Sequence, residues 1–351
     1  MNYSFNQLVP TSCFSYICLM GIITIQKNIG VPKYKQIIAS VENAIVNGEL
    51  KRGSKLPSIN SIRNRFSLSR DTVLIAYNDL KIRGIIQSIP GKGYYLKSEN
   101  INVSQKIFLL FDELNAFKED LYNSFLKNLS ENIEVDIYFH HFNPEVFSKL
   151  IYDNIGNYNS YIIMPANLED THLIIEKLPK DKVYILDQSN KNLTHYPAIY
   201  QNFEKDIFNS LSKGLSLLKK YKSIILLFPE HKQPPGMLKG FNLFCKMNII
   251  KNEVIASLEN RTPKKGEVYL IPDDRNLIRI IKKQKEEKLS LGKDLGIISY
   301  NDTLLKEIVE GGITTISTDF KNMGEQLAKM VMHKEQLQVE NPNTLIIRNS
   351  L

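Results

Sequence analysis

The sequence predicts an α/β protein in two parts: an amino-terminal winged helix-turn-helix joined to a two-lobed parallel α/β body. Three observations predict this. Residues 26–97 hold thirteen lysines and arginines against four acids, whereas the thirty-two basic and thirty-three acidic side chains beyond them nearly cancel. Helical periodicity across residues 34–83 runs directly into a glycine-turned hairpin. From residue 105 onward, short continuous apolar runs alternate with amphipathic stretches, the pattern of parallel strands covered on both faces by helices.

A chain of 351 residues is long enough for two or three cores. A compact basic module on a neutral body is the electrostatic footprint of a polyanion binder. Cys13, Cys18 and Cys245 offer neither a disulfide framework nor metal-ligand spacing, which fits a reducing cytoplasm and no metal. Residues 1–25 carry no charge, and their apolar run of about thirteen residues is too short to span a bilayer. No cationic start or cleavage site marks a secretory signal. The expectation is an apolar leader outside the fold, with Met20 as the natural start and no membrane partner.

In the basic module, Tyr34, Ile37, Ile38, Val41, Ala44 and Ile45 recur at helical spacing, and Asn47-Gly48 ends that helix. Ser58 is placed to cap a short helix through Phe66, with Ile59, Ile62 and Phe66 inward. Ser67-Leu68 makes a tight turn. Ser69 caps a third helix reaching about Arg83, where Gly84 stops it. Residues 85–89 and 94–96 are strand-like around Pro90-Gly91-Lys92-Gly93. Walker spacing is absent, so this tip is a wing whose Lys92 meets phosphates rather than a nucleotide loop.

Those residues resemble the winged helix of the GntR family of bacterial regulators. The resemblance rests on Leu56-Pro57-Ser58, Ser69-Arg70-x-Thr72-Val73, Ala76-Tyr77-x-x-Leu80, Gly84 and Gly91-x-Gly93, each at its spacing. It implies a DNA face of Ser58, Asn60, Ser69, Arg70, Asp71, Thr72, Gly91 and Lys92, with double-stranded operator DNA as partner. Arg70 is the strongest base reader, because a guanidinium donates two hydrogen bonds to guanine. Asn60 and Leu74 stand where many relatives carry arginine, so the operator sequence is this chain's own.

Residues 98–104 are polar and aperiodic, a linker. Strand candidates follow at 107–111, 135–140, 161–164, 183–186, 224–228, 254–258, 268–271 and 295–299, with helices at 116–130, 144–154, 203–219, 237–247 and 275–288. The body resembles the type I periplasmic-binding-protein fold of LacI-family effector domains. The clearest piece is Gly296-Ile-Ile-Ser-Tyr-Asn-Asp302, then Ile313-Thr-Thr-Ile316 and a glycine-containing helix; Phe111-Asp112-x-x-Asn115, Gln201-Asn202 and Lys239-Gly240-Phe241 are weaker. One lobe is expected over 105–198 and 319–335, the other over 199–318 and 336–351.

Ligands of open parallel sheets sit beyond the carboxyl ends of strands. That rule selects Asp112, Asn115, Phe117, His140, Asp187, Gln201, Asn202, Lys239, Asp273 and Asn301 as effector-binding candidates. Carboxylates, amides, a cation and an aromatic face suit a polyhydroxylated ligand. The bland alternative for Asn202 and Asp302 is helix capping. His140 and His141 alternate across a strand and do not make a metal pair. No catalytic signature appears, so no enzyme and no cofactor are expected.

The arrangement resembles the arabinose-repressor type of regulator. It implies a homodimeric, cytoplasmic repressor of carbohydrate-utilisation genes controlled by a monosaccharide. Two other readings stay open: a pyridoxal-phosphate aminotransferase-like body, and a DNA binder without effector.

Overall fold

The computed structural model describes residues 21–26, 31–229 and 233–351. One compact unit comprises the described residues up to 108 with 130–136 and 154–160; the other comprises 109–129, 137–153 and 161–351.

The first unit opens with helix α1 (Lys33–Val46), which buries Ile37, Val41, Ala44 and Ile45 as their spacing requires. Helix α2 (Ile59–Phe66) starts where the Ser58 hydroxyl accepts from Ser61 N. Ser67 turns left-handed, and α3 (Arg70–Ile82) starts where Ser69 accepts from Thr72 N. Gly84, at a φ of 72°, releases the chain into the hairpin of β1 (Ile86–Ile89) and β2 (Gly93–Leu96), paired Ile86 to Leu96 and Ile89 to Gly93. Tyr77, wholly buried on α3, donates to Pro57 O at 2.7 Å and meets the Tyr94 ring edge-on at 4.8 Å. One side chain thus joins α3, the entry to α2 and the hairpin.

Residues 21–25 correct the expectation of a leader outside the fold. Ile23 is 2% exposed in the winged-helix core, flanked by Ile22 and Ile25. The Thr24 amide donates to Ser40 Oγ, which donates in turn to Thr24 O. An uncharged segment is excluded from a fold only if no apolar face awaits it, and α1 supplies one. Residues 1–20, with Cys13, Cys18 and the expected start at Met20, lie outside the described residues.

The body holds two six-stranded sheets. The first is ordered β13-β7-β6-β5-β3-β4: β3 is Gln105–Phe111, β4 Ile133–Phe139, β5 Ser160–Ile163, β6 Val183–Asp187, β7 Ala198–Tyr200 and β13 Gln338–Glu340. The second is ordered β14-β12-β11-β10-β8-β9: β8 is Ser223–Leu227, β9 Asn252–Ile255, β10 Glu267–Ile271, β11 Leu295–Tyr300, β12 Thr314–Thr318 and β14 Asn343–Ile346. Only β14 joins its sheet antiparallel among the registers established. Strands β5, β6, β10 and β11 are buried throughout, which is why they read as largely apolar runs; β12, Thr-Thr-Ile-Ser-Thr, is as fully buried without being apolar.

Helices cover these sheets: α4 (Ala116–Lys127), α5 (Pro144–Asn154), α6 (Thr171–Ile175), α7 (Phe203–Lys213), α8 (Leu215–Leu218), α9 (Pro235–Asn248), α10 (Asp274–Glu286), α11 (Leu304–Ile308) and α12 (Phe320–His333). The helix expected over 203–219 is two, because Gly214 ends α7 and α8 restarts beyond it.

The chain crosses between sheets three times, at Gln201-Asn202, Thr318-Asp319 and Asn341-Pro342. Here the expected lobe boundary is corrected. The expectation puts residues 336–351 whole in the second lobe, yet β13 pairs with β7, Val339 opposite Ile199, and only β14 returns to the second sheet. A three-residue strand is too short to show a period. The crossings hold one another: Asn341 N donates to Tyr200 O, Asp319 N to Pro342 O, and Asn341 Nδ2 to Asp319 O.

Candidate functional site

The winged helix presents polar side chains from its two caps and its turn. Ser58, Asn60, Ser69, Arg70, Asp71, Gly91 and Lys92 are exposed and Thr72 is half-buried. Ser69 and Thr72 hold each other, Oγ to Oγ1 at 2.8 Å, so much of their polarity is spent shaping the first turn of α3. Gly91 has a φ of 72° with nothing near a Cβ position, so the wing tip is open as well as left-handed. Arg63, on α2, is exposed too, a basic side chain the spacing argument passed over.

In the second unit a cavity of about 260 Å³ opens between the two sheets' carboxyl ends, near the roughly 300 Å³ lower bound of typical small-molecule pockets. Seven of the ten sequence candidates line it: Asp112, Asn115, Phe117, Asp187, Gln201, Asp273 and Asn301. Each follows or ends a strand or stands at a crossing. Asn115 and Asp273 also cap α4 and α10 by accepting from Lys118 N and Asn276 N. Asp187 and Asn301 take left-handed φ values of 72° and 59°, turning the chain sharply at the strand end.

Three candidates fall outside that lining. His140 is fully buried in the first lobe, its Nε2 against Met164 O at 3.0 Å and its ring edge-on to Phe147. Burial keeps that imidazole's pKa below its ordinary value, favouring the neutral ring. His141 and Phe142 both turn left-handed, and it is Phe142 that reaches the cavity. Asn202 caps α7 and donates Nδ2 to Glu340 at 3.0 Å, so the capping alternative holds. Lys239 lies on the exposed side of α9, about 200° around the helix from Met237, which lines the cavity. Asp302 is spent on Arg348, which lowers its carboxyl pKa and grips both oxygens at 2.7 and 2.8 Å; Thr303 caps α11 instead.

The lining also includes residues the strand-end rule did not select. Lys118 pairs with Asp112 with both side chains buried. Lys306, 1% exposed, donates to Tyr300 O, Asn301 O and Asp274 Oδ1 at 2.8, 2.6 and 2.9 Å. Burial lowers its ammonium pKa, and Asp274 offsets part of that. Glu113, Phe142, Gln188, Phe203, Gln233 and Tyr300 complete the polar and aromatic wall. Lys118 and Lys306 are helical residues one turn past the strand-end loops, a displacement that a rule about loops does not capture.

Gln201 ties the cleft floor across the lobes. Its Nε2 donates to Asp187 Oδ1 at 2.5 Å, while its Oε1 accepts from Thr318 Oγ1 at 2.6 Å and Tyr300 OH at 3.3 Å. Burial raises the Asp187 pKa. At the cleft edge Asn167 Nδ2 donates to Gln233 O at 2.8 Å. Among the described residues no cluster could hold a metal ion, and no helix is long and apolar enough to cross a membrane.

A basic winged helix followed by two mainly parallel sheets around a polar cleft is the build of a DNA-binding regulator with a separate α/β body. The model of bacterial regulatory proteins of the gntR family matches residues 33–96, and that of the periplasmic binding protein-like domain matches residues 218–351. The HTH-type transcriptional repressor YtrA of Bacillus subtilis (strain 168) is 33% identical over 100 residues, 28% of this chain and 73% of that protein. The chain belongs to the gntR family, with a periplasmic-binding-protein-like body.

The mannosyl-D-glycerate transport/metabolism system repressor MngR of Escherichia coli (strain K12) is 38% identical over 82 residues, 23% of this chain; the chain spans about a third of that relative's length (34%). The arabinose metabolism transcriptional repressor of Geobacillus stearothermophilus is 22% identical across 92% of this chain and 96% of its own. Among solved structures, a dimeric Lac repressor superposes with a TM-score of 0.61 at 15% identity, over 70% of this chain and 98% of its own. A LacI-family regulator from Enterococcus faecium with bound ribose gives 0.57 at 18% identity, over 70% and 98%. These likenesses support the expected fold, and the aminotransferase-like alternative is not favoured.

Proposed function

We propose that the protein represses carbohydrate-utilisation genes: two winged helices of a homodimer hold a two-fold operator, and a monosaccharide in the cleft lowers operator affinity. The observation that carries this reading is the cleft itself, a ring of carboxylates, amides and aromatic faces at strand ends, in one chain with a gntR-family winged helix. A relative matching nearly the whole chain is named as a repressor of arabinose metabolism, which supports the sugar class. Aromatic faces suit the apolar side of a pyranose, and mixed carboxylates and amides suit hydroxyls that both donate and accept.

Closure around the three crossings would change the spacing of paired winged helices on DNA. A tenfold change in operator affinity requires about 1.4 kcal/mol of differential ligand affinity between the two states. The test is fluorescence anisotropy of a labelled operator, selected from a random pool by the full-length protein, across a panel of monosaccharides. The expected result is a tenfold or greater weakening by one sugar or a few related ones. Sequence-specific binding unmoved by any sugar would overturn the reading.

A further inference from the structure

We propose that Arg83 is a positioning residue that holds residues 98–104 as a strut, through which the ligand state of the body reaches α3. This rests on the ligand-controlled repressor reading above and names the joint that transmits the control.

Residues 98–104 form no helix or strand, and a free tether passes on distance but not orientation. This one is not free. Ser98 N donates to Ile85 O at 3.2 Å, and the Glu99 carboxylate accepts from Arg52 N at 2.8 Å, tying its start to the winged helix. Arg83 holds the middle. Its Nε donates to Val103 O and its Nη2 to Ile101 O, at 2.7 and 2.9 Å. The same guanidinium reaches Glu42 of α1 at 2.6 Å and Asp79 of α3 at 3.2 Å, with its side chain only 12% exposed. Ile101 packs against the winged-helix core, and Val103 is buried. A planar fork can span two carbonyls and two carboxylates at once, which a single ammonium cannot.

The far end of the strut is tied to the strands that follow. Ser104 N donates to Asn132 O at 2.8 Å, directly ahead of β4. Lys106, the second residue of β3, pairs with Asp136 of β4 at 2.8 Å. Its side chain also lies 3.7 Å from where a Cβ of Gly84 would stand, one residue beyond Arg83. Strand β3 then runs to Phe111, and the next residue, Asp112, lines the cleft. Coupling travels through hydrogen-bonded, rigid elements. A shift of β3 is therefore carried by the strut to the end of α3, the helix that begins at Arg70.

The test uses the full-length protein. Arg83→Lys keeps the charge beside Glu42 and Asp79 but loses the fork. Glu42→Gln breaks the ion pair to α1 and spares both linker hydrogen bonds. In Arg83→Lys the operator affinity without sugar is expected to stay within about threefold of wild type, while the effect of sugar on it falls from tenfold or more to less than about threefold. Glu42→Gln is expected to keep the full effect. An undiminished effect in Arg83→Lys, or an equal loss in Glu42→Gln, would overturn the proposal; the second result would place the cause in winged-helix packing. Two further measurements need no sugar. Proteinase K, with the cuts mapped by mass, is expected to cleave 98–104 about tenfold faster in Arg83→Lys than in wild type. Equal rates overturn the strut. In the wild type alone, operator is expected to slow amide exchange across residues 98–111 severalfold, and unchanged exchange there overturns the coupling. If no sugar moves operator binding, the monosaccharide reading fails, and these two measurements still decide the role of Arg83.

Discussion

Arg70 stands exposed at the first position of α3, directly after the cap that Ser69 and Thr72 share. Arg70→Ala is expected to weaken operator binding by about 1–3 kcal/mol while changing stability by less than about 0.5 kcal/mol; anisotropy and thermal melts check the two halves. Tyr77→Phe has the opposite profile. It leaves Pro57 O without its 2.7 Å donor inside the winged-helix core and is expected to cost about 1–3 kcal/mol in denaturant unfolding. Asp206 is a third case. Burial and the nearby Glu340 raise its carboxyl pKa from 3.8 to about 7, and its Oδ2 has no partner. The folded state then binds this proton more tightly than the unfolded state, so stability falls as pH rises from about 4 to about 7 and stays low above that. Asp206→Asn is expected to raise stability more at pH 8 than at pH 5, by on the order of 1 kcal/mol after allowing for solvent screening. An equal gain at both pH values would contradict that sign.

At the scale of elements, two helix pairs meet through glycine. A Cβ on Gly240 of α9 would strike Glu204 O of α7, and one on Gly324 of α12 would strike Leu121 O of α4. Backbone cannot retreat as a side chain can, so Gly240→Ala and Gly324→Ala are each expected to cost about 1–3 kcal/mol by overpacking, read in chemical unfolding. Both glycines stand in stretches whose residue order already resembled a known body, so their importance was legible in the sequence, although the close approach behind it was not. Strand legibility followed burial. Central strands such as β5 and β10 bury every residue and appear as apolar runs, whereas β9, exposed along most of its length, was expected two residues late. Strands β7 and β13, three residues each, have no period to read. The linker also carries more structure than its composition suggests. Arg83, at the end of α3, donates to Ile101 O and Val103 O at 2.9 and 2.7 Å and pairs with Glu42 at 2.6 Å. A polar, aperiodic stretch is thereby fixed to the end of α3 by one guanidinium.

For the whole molecule, segregated charge and strand order were enough to expect a DNA-binding module on a two-lobed body. The strand-end rule also selects seven residues that line the cavity. What stayed hidden depended on packing: that Ile23 returns to the core, that His140 turns inward, and that Lys118 and Lys306 are buried with their charges answered. The proposed coupling between DNA and cleft is thermodynamically reciprocal, so whatever factor the ligand takes from operator affinity, the operator must take from ligand affinity. The most direct measurement is therefore calorimetric titration of the active monosaccharide into the full-length protein, alone and saturated with operator. Binding at least tenfold weaker in the presence of operator, matching the factor seen from the DNA side, is the expected result. The same affinity in both states would contradict the central claim.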